Sequence, residues 1–198
     1  MDIEFNEEKH EYRLNGVVVP SVTHICRFLN FDAVANNTNP WLRDYAADRG
    51  SRVHAYTVAI DYGEELDEVD ADCVGYVEAY IRFLRDFKPE WTGIERIVAN
   101  ERAGYAGTLD RLGTLRGAHV LLDIKTGSRI NHAYCAAQLQ LYDRALYAMG
   151  DTTMRALYVL QLAGDGTYKL YDLSGAGIFF ATSCLSLDNN LSYKGESL

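Results

Sequence analysis

The sequence predicts an α+β, or mixed α/β, fold: a central mixed β-sheet flanked by helices, with an N-terminal β-ribbon. Three observations lead there. The opening EFNEEKHEYRLNGVVVP alternates around Asn15-Gly16, the strongest short hairpin signal. Two stretches of helical period follow it. After Pro89 the chain turns into short β-type runs, interrupted by one segment rich in Ala, Leu and Gln. With 198 residues, 48% of them apolar and 24% charged, the chain can bury a core as one domain.

Residues 1–20 make the ribbon, two strands about the Asn-Gly turn. Ser21 suits a helix N-cap for SVTHICRFLN, because its hydroxyl can accept from an amide that the first turn leaves unbonded. The run WLRDYAADRGSRVHAYTVAI, from Trp41 to about Ile60, and the run from about Val69 to Phe87 carry apolar residues at helical spacing. They read as two amphipathic helices joined by an acidic loop, and 21–90 is a helical region. IERIVAN, YAGTLDRLGTL and HVLLDIK then form a meander of strands. Asn131 to Met149 is a helix packed on that sheet, and RALYVLQL and TYKLYDL add two strands, so 91–175 is a sheet with its helix. Residues 176–198 hold a last helix, near Gly175 to Asn190, and a tail. No repeat, low-complexity tract or Pro/Gly/Ser linker divides the chain, and 1–198 reads as a single domain.

The net charge of −9 argues at first against a nucleic-acid partner. Its distribution weakens the objection. Seven of the 28 acids fall between Asp61 and Asp72 with no Lys or Arg among them, and outside that loop acids and bases nearly balance. Of the 19 bases 14 are arginine, the side chain suited to bidentate phosphate contact, although most read as ordinary solvated surface. Cys26, Cys73, Cys135 and Cys184 stand far apart, with no CxxC and no Cys/His pair at zinc spacing, and are expected to be buried free thiols of a reducing cytosol. No run approaches the roughly 18 apolar residues of a membrane span, and the N-terminus lacks a basic-then-apolar signal. A soluble, cytoplasmic protein with no membrane partner is the expectation.

The chemistry concentrates in GTLDRLGTLRGAHVLLDIKTG, residues 107–127. A two-residue turn at Arg116-Gly117 would set Asp110 opposite Asp123 in a hairpin, with Cβ atoms about 4.5–5.5 Å apart and like charges in repulsion. Period two puts Lys125 on the face of Asp123 and leaves Val120, Leu122 and Ile124 to the other. A divalent cation would remove the repulsion; so would one protonated carboxyl, or Lys125 as the neutralising charge. The pattern acid-x-lysine also occurs as Glu7-Glu8-Lys9 and Asp86-Phe87-Lys88, in an exposed ribbon and at a helix end. Only Asp123-Ile124-Lys125 has an acid positioned across a hairpin.

Four motifs now stand in order: Gly50-Ser-Arg-Val-His54, Gly107-Thr-Leu-Asp110, Asp123-Ile124-Lys125 and Gln138-Leu-Gln-Leu-Tyr142. Each is common alone, and their order resembles the PD-(D/E)xK nuclease superfamily, in its RecB-like branch of phage exonucleases, Cas4-like nucleases and the mitochondrial genome maintenance exonuclease. HEYRLNGVVVPSVT also resembles the N-terminal ribbon of phage members. The resemblance implies a restriction-endonuclease-like core in which His54, Asp110, Asp123 and the Ile124 carbonyl hold Mg²⁺ or Mn²⁺. It implies that Asp110, Asp123 and Lys125 are catalytic and that Gln138 and Tyr142, four apart on one helix, touch a DNA strand or the lysine. Arg49, Arg52 and Thr126 are added as DNA contacts, Arg52 against the rival reading of a face salt-bridged by Asp44 and Asp48. Glu95 matches an acid frequent in the branch and is left outside this set, since it could equally tether the lysine or a second metal. Cys184 is alone near the C-terminus, so the iron–sulfur cluster of some relatives is not expected, and no GxxxxGK[ST] loop calls for a nucleotide.

The expected function is a Mg/Mn-dependent deoxyribonuclease that hydrolyses phosphodiester bonds, an exonuclease of phage or bacterial DNA recombination or replication, alone, as a homo-oligomer or with a recombination partner. The alternatives are a DNA endonuclease using the same site, and a silent DNA- or protein-binding module of the same fold.

Overall fold

The turn residues decide how the strands meet, and two left-handed pairs do most of that work. Asn15 (φ 49°) and Gly16 (φ 80°) close β2 (Glu11–Leu14) on β3 (Val17–Val19), and Arg116 (φ 49°) and Gly117 (φ 83°) close β5 (Tyr105–Leu115) on β6 (Ala118–Lys125). Positive φ at both central residues is the type I′ geometry whose twist matches that of paired strands. The second turn pairs Leu115 with Ala118 and carries the anticipated register down to Arg111 and Leu122.

The computed structural model describes residues 1–30 and 39–195. The ribbon has three strands rather than two, because β1 (Ile3–Asn6) pairs antiparallel with β2. Ser21 caps α1 (Val22–Ile25) by accepting from the His24 amide at 3.1 Å, and a 3₁₀ turn, Cys26–Leu29, continues it. Next come α2 (Pro40–Asp61), α3 (Val74–Phe87), β4 (Glu90–Asn100), β5, β6, α4 (His132–Ala148), β7 (Ala156–Leu162), β8 (Tyr168–Asp172) and α5 (Gly177–Gly195). The tail beyond Gly195 lies outside the described residues. The main sheet has the order β4-β5-β6-β7-β8, antiparallel except for β6 and β7, which run parallel with α4 as their crossover. A mixed sheet flanked by helices and preceded by a ribbon is the predicted architecture, and it matches a restriction-endonuclease-like core.

Two apolar layers sandwich the sheet. Leu109 and Leu121 face Val22, Ile25, Leu139, Leu146 and Cys184 on the α1, α4 and α5 side. Val120, Leu122 and Ile124 face Val53, Tyr80 and Phe83 on the α2 and α3 side. All four cysteines are buried and unpaired in disulfides, and burial pushes the Cys135 thiol up to about 12. Among the described residues no helix is long and apolar enough to cross a membrane.

The helical region differs from its sequence pattern in two ways. α2 buries only Val53 and Thr57, so its first half stands clear of both cores. α3 begins at Val74 instead of near Val69, because the residues before it fold back onto α2. There the Arg52 guanidinium meets Asp48 at 2.9 Å, Asp70 at 2.7 Å and Asp72 at 2.9 Å. Hydrogen bonds from Arg52 hold the carboxyls of Asp70 and Asp72 below the usual range.

A second arginine, unremarked in the sequence, joins the layers. Arg111 is fully buried, and its guanidinium donates to Asp61 Oδ2 (2.6 Å), Thr57 Oγ1 (2.9 Å), the Asp110 carbonyl (2.8 Å) and Glu95 Oε1 (3.2 Å). Asp61 in turn accepts from Tyr80 Oη at 2.5 Å and Trp91 Nε1 at 3.1 Å. One ion pair thus ties α2 to α3, β4 and β5.

Removing Arg111 leaves Asp61 charged and buried. Arg111→Leu is expected to lower unfolding stability by about 3–5 kcal/mol, read by urea denaturation, and adding Asp61→Asn should recover part of the loss. A loss no larger than that of an ordinary surface substitution would remove Arg111 from this role. The Arg52 contacts predict a pH effect of known sign. Carboxyls depressed in the folded state stabilise it above the unfolded value of about 3.9 and lose that contribution as the pH falls below it. Carboxyl chemical shifts should give Asp70 and Asp72 midpoints below that value, moving up in Arg52→Gln.

Candidate metal centre

The β5–β6 ladder stops one pair short of Asp110 and Asp123, its last partners being Arg111 and Leu122. Past that point the Asp110 carboxylate takes over the ladder's role: its Oδ2 accepts the Ile124 amide at 2.6 Å. The facing acids therefore avoid a close pair by local opening of the hairpin, and the opening leaves room for other groups. From α2, His54 reaches the same peptide with Nε2 3.1 Å from the Ile124 carbonyl oxygen. The ring's other nitrogen, Nδ1, lies 3.8 Å from Asp110 Oδ2 and 3.9 Å from Glu95 Oε1. Burial disfavours a charged imidazole here, but the two carboxylates outweigh it and push His54 up to about 8.

Glu95 is the residue whose place sequence reasoning set aside. It sits in β4 with φ 45°, a left-handed conformation foreign to a strand, just beyond a register shift between Trp91 and Gly93. A bulge followed by such a residue re-aims a side chain. Here it brings Glu95 Oε1 to both Arg111 and His54. The sequence signals were Gly93 within a strand pattern and the acid itself, and neither specifies the direction.

On the α4 face of the sheet, Lys125 Nζ lies 2.6 Å from Asp123 Oδ2 and donates to Gln138 Oε1 at 3.2 Å. Gln138 Nε2 donates to Tyr142 Oη at 3.3 Å, so lysine, glutamine and tyrosine form a chain. Gly107 permits it, since a Cβ there would stand 2.8 Å from the Tyr142 ring. Asp123 is buried, and neither of its oxygens has a well-aligned hydrogen bond among the described residues. Burial drives its carboxyl up despite Lys125, while Asp123 and Asp110 keep Lys125 protonated against its own desolvation. A cavity of about 190 Å³ opens onto Glu95, Asp110, Asp123, Lys125 and Gln138, with Tyr12 of the ribbon on its wall.

His54, Glu95 and Asp110 each offer a ligand atom, all within 4.8 Å of one another. One imidazole and two carboxylates are donors for Mg²⁺ or Mn²⁺, the imidazole favouring manganese. Buried Asp123 has an ion-pair partner at Oδ2 in Lys125, and its Oδ1 is buried without a hydrogen bond among the described residues, an acceptor that a cation would satisfy. Asp70, Asp72 and Cys73 also converge, but Arg52 Nη1 already fills that space, 2.7 Å from Asp70, 2.9 Å from Asp72 and 3.3 Å from Cys73 Sγ. Of the anticipated DNA contacts, Gln138 and Tyr142 are buried beside Lys125, and Arg52 is engaged by carboxylates. Arg49 and Thr126 line a separate, larger cavity.

No protein-family profile matches the chain, and no curated protein does. Among solved structures it is similar to an alkaline exonuclease from Laribacter hongkongensis, with 12% identity and a TM-score of 0.37 over 90% of this chain and 94% of that one.

Proposed function

We propose that the protein is a metal-dependent deoxyribonuclease that hydrolyses phosphodiester bonds, acting as an exonuclease in phage or bacterial DNA recombination or replication. The observation that carries this reading is the convergence of His54, Glu95 and Asp110 beside the ion pair of buried Asp123 and half-buried Lys125, which lines an open cavity. His54, Asp110 and Asp123 would hold Mg²⁺ or Mn²⁺, with Glu95 as a further carboxylate. Such a cation polarises a phosphate and lowers the pKa of a bound water.

The chain's own groups supply the rest. With Nε2–H donated to the Ile124 carbonyl, the ring is fixed so that Nδ1 faces the carboxylates, the outer-shell arrangement common for ligand histidines. The Ile124 carbonyl then acts by orienting His54, whereas the sequence reading made it a ligand. The Lys125 ammonium, held by Asp123 and Gln138, offsets negative charge developing on the phosphate and orients the attacking water. Gln138 and Tyr142 position that lysine.

Incubation of end-labelled linear, closed circular and single-stranded DNA with Mg²⁺, Mn²⁺ or EDTA tests the reading. Cleavage of linear DNA that needs metal, with turnover in Lys125→Ala lower by on the order of 10²–10³-fold, is expected. Absence of cleavage under every metal would defeat the proposal, and cutting of closed circles would make the enzyme an endonuclease. Metal binding has its own readout. Mn²⁺ at a hundred times its Kd should stabilise the wild type by about 2.7 kcal/mol in thermal unfolding, and Asp110→Asn should lose that gain while remaining folded.

A further inference from the structure

The first two turns of α2 carry aromatic side chains that the cores do not use. Trp41 is 66% and Tyr45 39% exposed, and every residue from 41 to 48 is exposed. Trp41, Tyr45 and Arg49 are four apart and share one helical face. The two rings stack at 5.6 Å and 14°, and the Arg49 guanidinium stands 6.0 Å from the Tyr45 ring and 4.8 Å from that of Tyr76. The stripe ends in a cavity of about 650 Å³, lined by Arg49, Thr126, Ser128 and Lys169, beyond the carboxyl ends of the parallel strands β6 and β7.

We propose that this stripe and cavity seat single-stranded DNA, holding the nucleotides that flank the bond cleaved; the inference rests on the nuclease reading for its cleavage step and on the surface itself for binding. Charge complementarity selects the occupant. Arg43 and Arg52 have carboxylate partners, whereas Arg49 has none among the described residues and its buried Nε lacks a hydrogen bond. Lys169 likewise has no ion pair among the described residues. Beside these two cations stand the hydroxyls of Thr126 and Ser128. The lone acid on the lining, Asp165, already accepts from Thr167 at 3.0 and 2.6 Å. Stacked rings leading to a cationic pocket suit a strand whose bases are unstacked, because a duplex keeps its base faces covered. Along one edge of the stripe Asp72 accepts from Tyr45 Oη at 2.6 Å and shares Arg52 with Asp48 and Asp70, so an acidic border repels phosphates there and leaves Arg49 to meet them at the stripe's other end. The chain itself links this pocket to the metal centre: a Cβ on Gly50, one turn before His54, would stand 3.2 Å from the Thr126 hydroxyl, and Thr126 follows Lys125.

Fluorescence anisotropy with a labelled oligothymidylate and a duplex of equal length, both in EDTA, tests this on the intact chain. Trp41→Ala and Arg49→Ala should each weaken oligothymidylate binding roughly tenfold and leave duplex binding unchanged. Arg49→Ala, but not Trp41→Ala, should reduce the slope of log K against log salt by about 0.7, the signature of one lost phosphate contact. The proposal is overturned if the wild type binds no oligothymidylate, if both variants bind as the wild type does, or if duplex binding falls equally. It is also overturned if sedimentation finds a wild-type dimer that Trp41→Ala dissociates, which would give the stripe to a second copy of the chain. A wild type that binds through Arg49 yet cleaves nothing defeats the nuclease reading alone; one that cleaves while both variants bind normally defeats only the seat.

Discussion

The buried pair of Arg111 and Asp61 is the constraint on which the arrangement of the molecule depends. His54 belongs to a helix with few buried side chains, and Asp110 to a strand of the sheet. Apolar contact through Val53, Tyr56 and Ile60 alone would leave that helix free to shift along the sheet. The guanidinium fixes it at several points, because its donors form a rigid fork and each finds an acceptor of known position. Two charges out of water are a costly way to join two layers, and an apolar pair would do as well for stability. What the ion pair adds is direction, and a metal centre assembled from separate layers requires direction.

The site itself is built against stability. Glu95 holds a left-handed backbone inside a strand, and Asp123 is an anion in the core without aligned hydrogen bonds. Strain and buried charge of this kind gather where function requires them. The surrounding apolar layers, with Leu109, Leu121 and Leu139 on one side and Val120, Leu122 and Phe83 on the other, hold these groups in place.

Much of this was legible in the sequence because it follows from local rules. Asn15-Gly16 and Arg116-Gly117 fixed their hairpins, period two assigned Leu122 and Asp123 to opposite faces, and Ser21 and Asn131 marked helix starts that the capping bonds bear out. What escaped depends on contacts distant in sequence. Arg111 reads as one more charged residue between an acid and a leucine, and its burial is set by Asp61, fifty residues away. Arg52 reads as a phosphate contact until a loop of acids returns to it. The left-handed turn at Glu95 has no signature in residue type, since a glutamate there is a penalty that only the assembled site offsets.

Ile124 deserves a different description from its neighbours. Its side chain is sealed in one core, its amide is bonded to the Asp110 carboxylate and its carbonyl to the His54 ring. Two side chains from separate layers thus grip opposite sides of one residue whose own position is set by packing. Any event that redirects either grip, a proton on the carboxylate or a ligand drawing off its charge, changes the field at that amide. The backbone resonance of Ile124 is therefore a native reporter, buried and unreactive, that reads the state of the centre without a label.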